Sequence, residues 1–316
     1  MTIQNSQITD SVLMIKPISF NYNSETAVNN YYQTPSKEIS HEIIQEKALK
    51  EFNAFIDILY SRKIGVVVVE DTLKPITPDS VFPNNWISFH QNGSVAIYPM
   101  FARNRRAERR EDILKTLEDH GFYIKKLFDY SKYENMERFL EGTGSMILDR
   151  INKKVYCAIS PRADYLLLTR FCNDFEYIPV IFKAYQWVDG ERLPIYHTNV
   201  LMALGEEFAI ICSEAIDDVR ERETVITSLI SDKKAVVDIS EDQVESFAGN
   251  ALQLKNKEGR KFLIISESAK NSLSESQIDI IERSSEIISV DISTIQKYGG
   301  GSVRCMMAEI FLPKKN

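Results

Sequence analysis

Apolar residues fall into short runs along this chain, and two spacings alternate. Val12-Leu13-Met14-Ile15 is a run halted at Pro17, which predicts a first strand. From 38 to 62 the spacing changes. Ile39, Ile43, Ile44, Leu49, Phe52, Phe55, Ile56 and Leu59 recur three or four apart, one face of a helix, with Ser36 or Ser40 as its cap. Residues 64–69 then read as a buried strand, followed by a loop carrying Pro75, Pro78 and Pro83. Runs at 86–90 and 94–99 flank Gln91-Asn92-Gly93, a hairpin turn. Residues 106–120 read as a helix that stops at Gly121.

The rhythm then returns. A second hairpin is predicted from 145–149 and 154–159 around Arg150-Ile151-Asn152-Lys153. Helices are expected at 163–173, 217–230 and 275–285, and strands at 208–212, 235–237, 262–266, 287–290 and 306–312. No stretch resembles a long linker, so residues 1–316 are expected to form one continuous α/β domain. Parallel strands need crossovers, so frequent hairpins argue against a purely parallel doubly wound sheet.

Composition narrows the function. Thirty-eight Lys and Arg against 45 Asp and Glu give a net charge of −7, the wrong sign for a general nucleic-acid binder. No apolar run is long enough for a membrane helix, and the N-terminus lacks the pattern of a secretory signal, so a cytoplasmic location is expected. Cys157, Cys172, Cys212 and Cys305 include no CxxC pair, so they are expected to be free thiols rather than zinc ligands. No metal site is expected, because His41, His90 and His120 are too scattered for a ligand cluster, and no other cofactor is expected. Homo-oligomerisation is left open.

Five segments can carry chemistry. In Gly299-Gly300-Gly301-Ser302-Val303-Arg304-Cys305, glycines let backbone amides approach a ligand, and a cysteine follows. The segment is either a nucleophile loop or a flexible turn leading to an inert core cysteine. His197, in Tyr196-His197-Thr198-Asn199, is either a general base or a satisfied surface histidine. In an extended segment Asn199 would share its face. Glu141, beside Gly142 and Gly144, either orients a histidine or is a solvated carboxylate before a turn. Asn84 and Asn85 either shape a turn or offer amides to a planar neutral group. Five arginines crowd residues 103–110, and Arg103, Arg105 or Arg106 can grip a carboxylate bidentately. Together Glu141, His197 and Cys305 form a cysteine-hydrolase constellation.

The set of motifs resembles a known superfamily. Phe82-Pro83-Asn84-Asn85-Trp86, the Arg-rich segment, Leu140-Glu141-Gly142-Thr143-Gly144-Ser145, His197-Thr198-Asn199 and the glycine–cysteine run occur in this order across residues 82–305. They resemble the guanidino-group-modifying enzymes: arginine deiminases, dimethylarginine dimethylaminohydrolases, amidinotransferases and succinylarginine dihydrolases. The amidinotransferase-like branch of citrulline-utilisation hydrolases fits best. The resemblance implies the pentein fold, a five-bladed α/β propeller of ββαβ-type repeats. It implies Cys305 as nucleophile, His197 as general acid/base and Glu141 as its carboxylate partner, acting on a small amino-acid substrate through a covalent intermediate. Some penteins, such as translation initiation factor 6, do not catalyse, but this chain keeps all three residues.

One departure bears on the substrate. Arginine deiminases carry aspartates in the segment matching Asn84–Asn85 and two residues after the catalytic histidine. This chain has asparagine in both places. An amide donates to a ureido oxygen, which a carboxylate cannot do. Citrulline, hydrolysed to ornithine, ammonia and carbon dioxide, is therefore the expected substrate. An arginine deiminase or an arginine or N-acylarginine dihydrolase is the alternative, since succinylarginine dihydrolases also use asparagine.

Overall fold

The computed structural model describes residues 6–35 and 39–315. The first sheet explains the N-terminal pattern. β1 (Ser11–Lys16) ends before Pro17 and pairs in parallel with β2 (Gly65–Glu70), and helix α1 (His41–Ser61) is the crossover. Ser40 occupies the N-cap of α1 without a side-chain cap bond, and Ser36 lies outside the described residues. Ile44, Phe52, Phe55 and Leu59 line the buried face of α1, beside Val12 and Met14 of β1.

The next unit is β3 (Ile87–Phe89), β4 (Ser94–Ile97), α2 (Glu111–Asp119) and β5 (Lys126–Asp129). β3 and β4 form an antiparallel hairpin, and β4 pairs in parallel with β5 across the helix. Gly93 has φ +82°, a left-handed turn conformation that glycine adopts without strain. The pattern repeats in α3 (Gly142–Ser145), β6 (Ile147–Asp149), β7 (Lys154–Ala158), α4 (Tyr165–Phe175) and β8 (Ile178–Phe182). A separate hairpin follows, β9 (Tyr185–Val188) and β10 (Glu191–Pro194).

The fourth unit is α5 (Thr198–Leu201), β11 (Met202–Leu204), β12 (Phe208–Ile211), α6 (Val219–Ser231) and β13 (Ala235–Asp238). After the short α7 (Glu241–Glu245) come β14 (Leu252–Lys255), β15 (Lys261–Ser266), α8 (Glu267–Ser272), α9 (Glu275–Glu282) and β16 (Glu286–Val290). Finally α10 (Ser293–Gly299) leads to β17 (Ala308–Glu309), which returns to pair antiparallel with β1. Among the described residues, five three-stranded sheets thus share one plan, an antiparallel pair extended by a parallel strand. Adjacent units meet through their first strands, β17 with β3, β6 with β11 and β11 with β14.

Two expectations need correction, and one hairpin is added to them. The helix expected at 106–120 begins only at Glu111; before it lies a 3-10 turn, Asn104–Glu108, and Arg109 breaks the helix with ψ 81°. The cause is side-chain bonding: Arg105 turns inward to Glu108, and Arg109 reaches Glu134. Of the strand expected at 306–312, only Ala308 and Glu309 pair, because Cys305, Met306 and Met307 close consecutive turns onto Ser302, Val303 and Arg304. The β9–β10 hairpin went unread although Asp189-Gly190 marks it, with φ +50° and +83°. No helix among the described residues is long and apolar enough to cross a membrane.

Phe52 is 1% exposed within this packing. Phe52→Ala is expected to lower the unfolding free energy by about 3–5 kcal/mol, read from urea denaturation, with an unchanged m-value.

Candidate active site

The loop entering each first strand carries a polar residue, and these loops converge. Asn84 and Asn85 lie in the 3-10 turn Pro83–Asn85 ahead of β3. Glu141 is the N-cap residue of α3, and His197 that of α5, with Asn199 inside α5. Asn250 precedes β14 and Cys305 precedes β17. α3 packs against both the Pro83–Asn85 turn and α5. Glycine makes this possible. A Cβ on Gly142 would lie 2.3 Å from the Asn84 carbonyl oxygen, and Gly142 has φ +48°. A Cβ on Gly144 would lie 2.3 Å from Asn85 Nδ2 and 3.0 Å from His197 Nδ1.

Glu141 is fully buried and meets His197 Nε2 at 2.7 Å through Oε2. Its Oε1 accepts from the Phe101 amide at 2.9 Å, and Arg162 Nη1 lies 3.4 Å from Oε2. Burial alone would raise its carboxyl; the Arg162 charge and the bond to His197 more than offset that and hold it at about 2. Burial pushes His197 down to about 4 although Glu141 pulls the other way. Near neutral pH the pair is thus a carboxylate and a neutral imidazole. An ionised carboxylate only accepts, so the imidazole proton sits on Nε2, and Nδ1, beside Gly144, keeps its lone pair.

Cys305 sits in a turn, its amide bonded to Ser302 O at 2.9 Å. Two amides point at its sulfur: Asn199 Nδ2 at 3.3 Å and Asn250 Nδ2 at 3.2 Å. The glycine run ahead of it is not a slack turn. Gly299 and Gly301 press against the Phe82 ring, where a Cβ would lie 2.8–2.9 Å away, and Gly300 (φ +62°) caps α10 beside Asn30.

The three candidate arginines part company. Arg105 is buried; Nε and Nη2 grip Glu108 at 2.8 and 2.9 Å, and Nη1 donates to Asn85 Oδ1 at 2.8 Å. Arg103 is exposed. Arg106 turns to Met100 O and Glu134. Sequence reasoning missed three residues that the fold adds. Arg162, 1% exposed, lies over the Tyr196 and Phe101 rings and bonds Asn29 and Thr26 O. Asp79 accepts from Asn23 and Thr26 through Oδ2, leaving Oδ1 unpartnered, and burial raises its carboxyl. Asn250 is the third. Asp79 stood three residues before the Phe82–Trp86 motif and was open to notice; Arg162 and Asn250 carried no local signal.

Asn85, Arg105, Arg162, His197, Cys305 and Asp79 help line one small cavity of about 10 Å³, room for roughly one water. In the loops that converge on it several buried polar atoms have no partner: Asn85 Nδ2 at the cavity itself, Asn199 Oδ1 on the side chain that meets Cys305, and both side-chain atoms of Asn84. Each such orphan costs about 1–3 kcal/mol, and a cluster of them in one place marks a surface shaped for a ligand. Among the described residues no group of three or more His, Cys, Asp or Glu side chains is set to hold a metal ion.

A cysteine, a neutral histidine paired to a carboxylate and unsatisfied amides around one cavity are the equipment of a hydrolase that cleaves carbon–nitrogen bonds, and comparison with known proteins assigns the chain to that class. Residues 16–312 match the model of the family described as N,N dimethylarginine dimethylhydrolase, eukaryotic, and the chain belongs to that family, within the pentein superfamily of amidinotransferases and arginine deiminase-like proteins. No curated protein matches the sequence. Among solved structures, apo ArgZ, an arginine dihydrolase from the ornithine–ammonia cycle in cyanobacteria, is similar with a TM-score of 0.72 at 15% identity, over 96% of this chain and 41% of that one. The N-terminal domain of ArgZ bound to substrate gives 0.69 at 17%, over 96% and 99%. A dimethylarginine dimethylaminohydrolase adduct with 4-chloro-2-hydroxymethylpyridine gives 0.63 at 15%, over 96% and 100%. The chain therefore spans about two fifths of full-length ArgZ, and likenesses of such low identity establish the fold alone.

The His197–Glu141 pair carries a pH signature. His197 titrates near 6.5 when unfolded and near 4 when folded, so protons favour the unfolded chain between those values. Its contribution is complete above pH 6.5 and is lost as pH falls toward 4. Glu141 behaves alike, lower down, between 4.5 and about 2. Burial raises the carboxyls of Glu108, to about 7, and Asp79, so these act in the opposite sense in both proteins. The expected reading is therefore the difference: between pH 6.5 and 4 the parent loses more melting temperature than His197→Gln. Buried His90, pushed down by burial, keeps its share of the slope in both proteins. Identical slopes would contradict the assignment.

Proposed function

We propose that this enzyme hydrolyses the ureido group of citrulline, giving ornithine, ammonia and carbon dioxide. The observation that carries the reading is the orientation of Asn85. Arg105 donates to its Oδ1, which leaves the Nδ2 donor as the unpartnered atom beside the cavity. A buried donor without a partner suits the carbonyl oxygen of a ureido group; a guanidinium, all donors, leaves it unsatisfied. Asn199 complements it, since its Nδ2 is turned to Cys305 and its free Oδ1 can accept from a ureido N–H.

In this reading Nδ1 of His197 takes the thiol proton of Cys305, and the thiolate so formed attacks the ureido carbon. The terminal amine leaves as ammonia, with its proton supplied by His197, and an S-linked N-alkyl thiocarbamate remains on the enzyme. His197, again neutral, then takes a proton from water. The hydroxide displaces the sulfur, and the released carbamate loses carbon dioxide to give the amine of ornithine. Glu141 orients His197 and stabilises it while it carries a proton. At the other end of the substrate, Asp79 Oδ1 receives the α-ammonium, and Arg105 and Arg162 face the α-carboxylate. The segment from Asn23 to Gln33 covers these groups through bonds to Asp79, Arg162 and the Gly299–Gly300 carbonyls. A cavity of about 10 Å³ holds no amino acid, so this segment moves aside to admit one. The five matching sheets and the return of β17 to β1 support a five-bladed propeller made by the whole chain, with the site where the blade-leading loops meet.

A second reading has its own support. ArgZ is an arginine dihydrolase, and a cysteine-to-alanine mutant of AgrE, a similar structure at 16% identity, has been crystallised with L-arginine. A dihydrolase passes through a ureido stage, so the same amides would serve its second half.

Product analysis separates these. Purified enzyme is incubated with citrulline, arginine and N,N-dimethylarginine in turn, with Cys305→Ala as control. Ornithine and one ammonia from citrulline, with arginine inert, is the expected result. Ornithine and two ammonia from arginine would make the enzyme a dihydrolase, and citrulline with dimethylamine from dimethylarginine would overturn both readings. Asn85→Asp should reduce citrulline turnover at least about tenfold, the equivalent of one lost hydrogen bond of roughly 1.4 kcal/mol. Arg105→Ala and Arg162→Ala should raise KM, whereas Arg103→Ala should leave it unchanged.

A further inference from the structure

We infer that Asn250 is a further catalytic residue, a fixed donor that stabilises negative charge on the sulfur of Cys305 as it reacts at the cavity wall. The inference rests on Cys305 being the nucleophile. Asn250 is 1% exposed and is secured at three points. Its Oδ1 accepts from the Arg304 amide at 3.1 Å. Its Nδ2 donates to Asn199 O at 3.0 Å and to Cys305 Sγ at 3.2 Å. The Arg304 amide can only donate, so the oxygen of Asn250 must face it and the nitrogen must face the sulfur. The two ends of this amide are therefore not interchangeable.

The loop is built to deliver that amide. Gly249 lies so close to the preceding unit that a Cβ there would sit 2.4 Å from Val200 O and 2.7 Å from Leu201 C. This approach brings Asn250 beside both Asn199 and the turn that ends in Cys305. The same side chain therefore sets the position of the sulfur, through Arg304 N, and donates to it. A thiol is a weak acceptor and a thiolate a strong one, so a donor held against the sulfur favours the ionised form.

Asn199 and Asn250 both donate to the sulfur but are not equivalent. Asn199 Oδ1 has no partner, and its side chain is tied only through Nδ2. Its oxygen is left for a substrate to claim. Asn250 has no spare oxygen and no freedom to turn. The thiolate thus keeps one donor whatever Asn199 does when the cavity fills.

The test is the pH dependence of Cys305 alkylation by iodoacetamide, which needs no substrate. The other thiols stay silent. Burial pushes Cys172 and Cys212 up to about 12 and Cys157 up as well, and Cys305→Ala supplies the blank. Loss of one hydrogen bond to an ionised group should raise the alkylation midpoint of Asn250→Ala by about one to two pH units. Asn250→Asp keeps the shape and the bond from Arg304 N but sets a negative charge on the sulfur. It should raise the midpoint at least as far, and it answers the question where the alanine variant does not fold. With citrulline, kcat of Asn250→Ala should fall about tenfold at pH 7 and recover as pH rises through the new midpoint, with KM little changed. Midpoints equal to the parent's in folded variants would overturn the inference. Turnover retained in Cys305→Ala would overturn Cys305 as the nucleophile and with it the catalytic role of Asn250, whereas loss of turnover in Cys305→Ala with unshifted alkylation midpoints would overturn the inference about Asn250 alone.

Discussion

The site depends on one buried carboxylate. Glu141 has no contact with water, yet its oxygens meet His197, Arg162 and the Phe101 amide, groups drawn from three separate stretches of chain. An ionised carboxylate in a dry interior is tolerable only when it is paired and hydrogen-bonded. Removing any of these partners would leave charge uncompensated. The geometry of the imidazole is thereby fixed by an electrostatic requirement of the fold itself. Arg162 extends the constraint further, because it also ties down the segment around Thr26 and Asn29 that covers the cavity.

Around this charged centre the cavity wall is made of amides. Asn85 is oriented by Arg105, Asn250 by the Arg304 amide, and both orientations follow from partners that can only donate. Arg105 itself is neutralised by Glu108, not left as a free cation. The positive charge of Arg105 is thus partly balanced within the protein, beside the cavity it lines.

Much of this was legible from sequence. The helix face at Ile44, Phe52, Phe55 and Leu59, the Gln91-Asn92-Gly93 turn and the recurring hairpins all express local periodicity and turn chemistry, and they appear in the fold. Glu141, His197, Asn199 and Cys305 were singled out by their neighbours in sequence, and the structure brings them together. The helix at 106–110 failed because two ion pairs, Arg105 to Glu108 within the turn and Arg109 to the distant Glu134, overrode helix propensity. Arg162 and Asn250 were invisible because neither stands in a motif; each acquires its meaning from a residue more than twenty positions away.

The sequence by itself determined the repeating strand–hairpin–helix rhythm, the residue types available for chemistry and the replacement of aspartate by asparagine at two positions. These are properties of neighbouring residues, and neighbouring residues set dihedral preferences, periodicity and charge. Only the tertiary structure decided which arginine reaches the cavity, which way each amide turns and what holds the cysteine sulfur. Those outcomes depend on hydrogen bonds between loops far apart in the chain, and an amide is a donor or an acceptor toward the site only once its other end has been claimed.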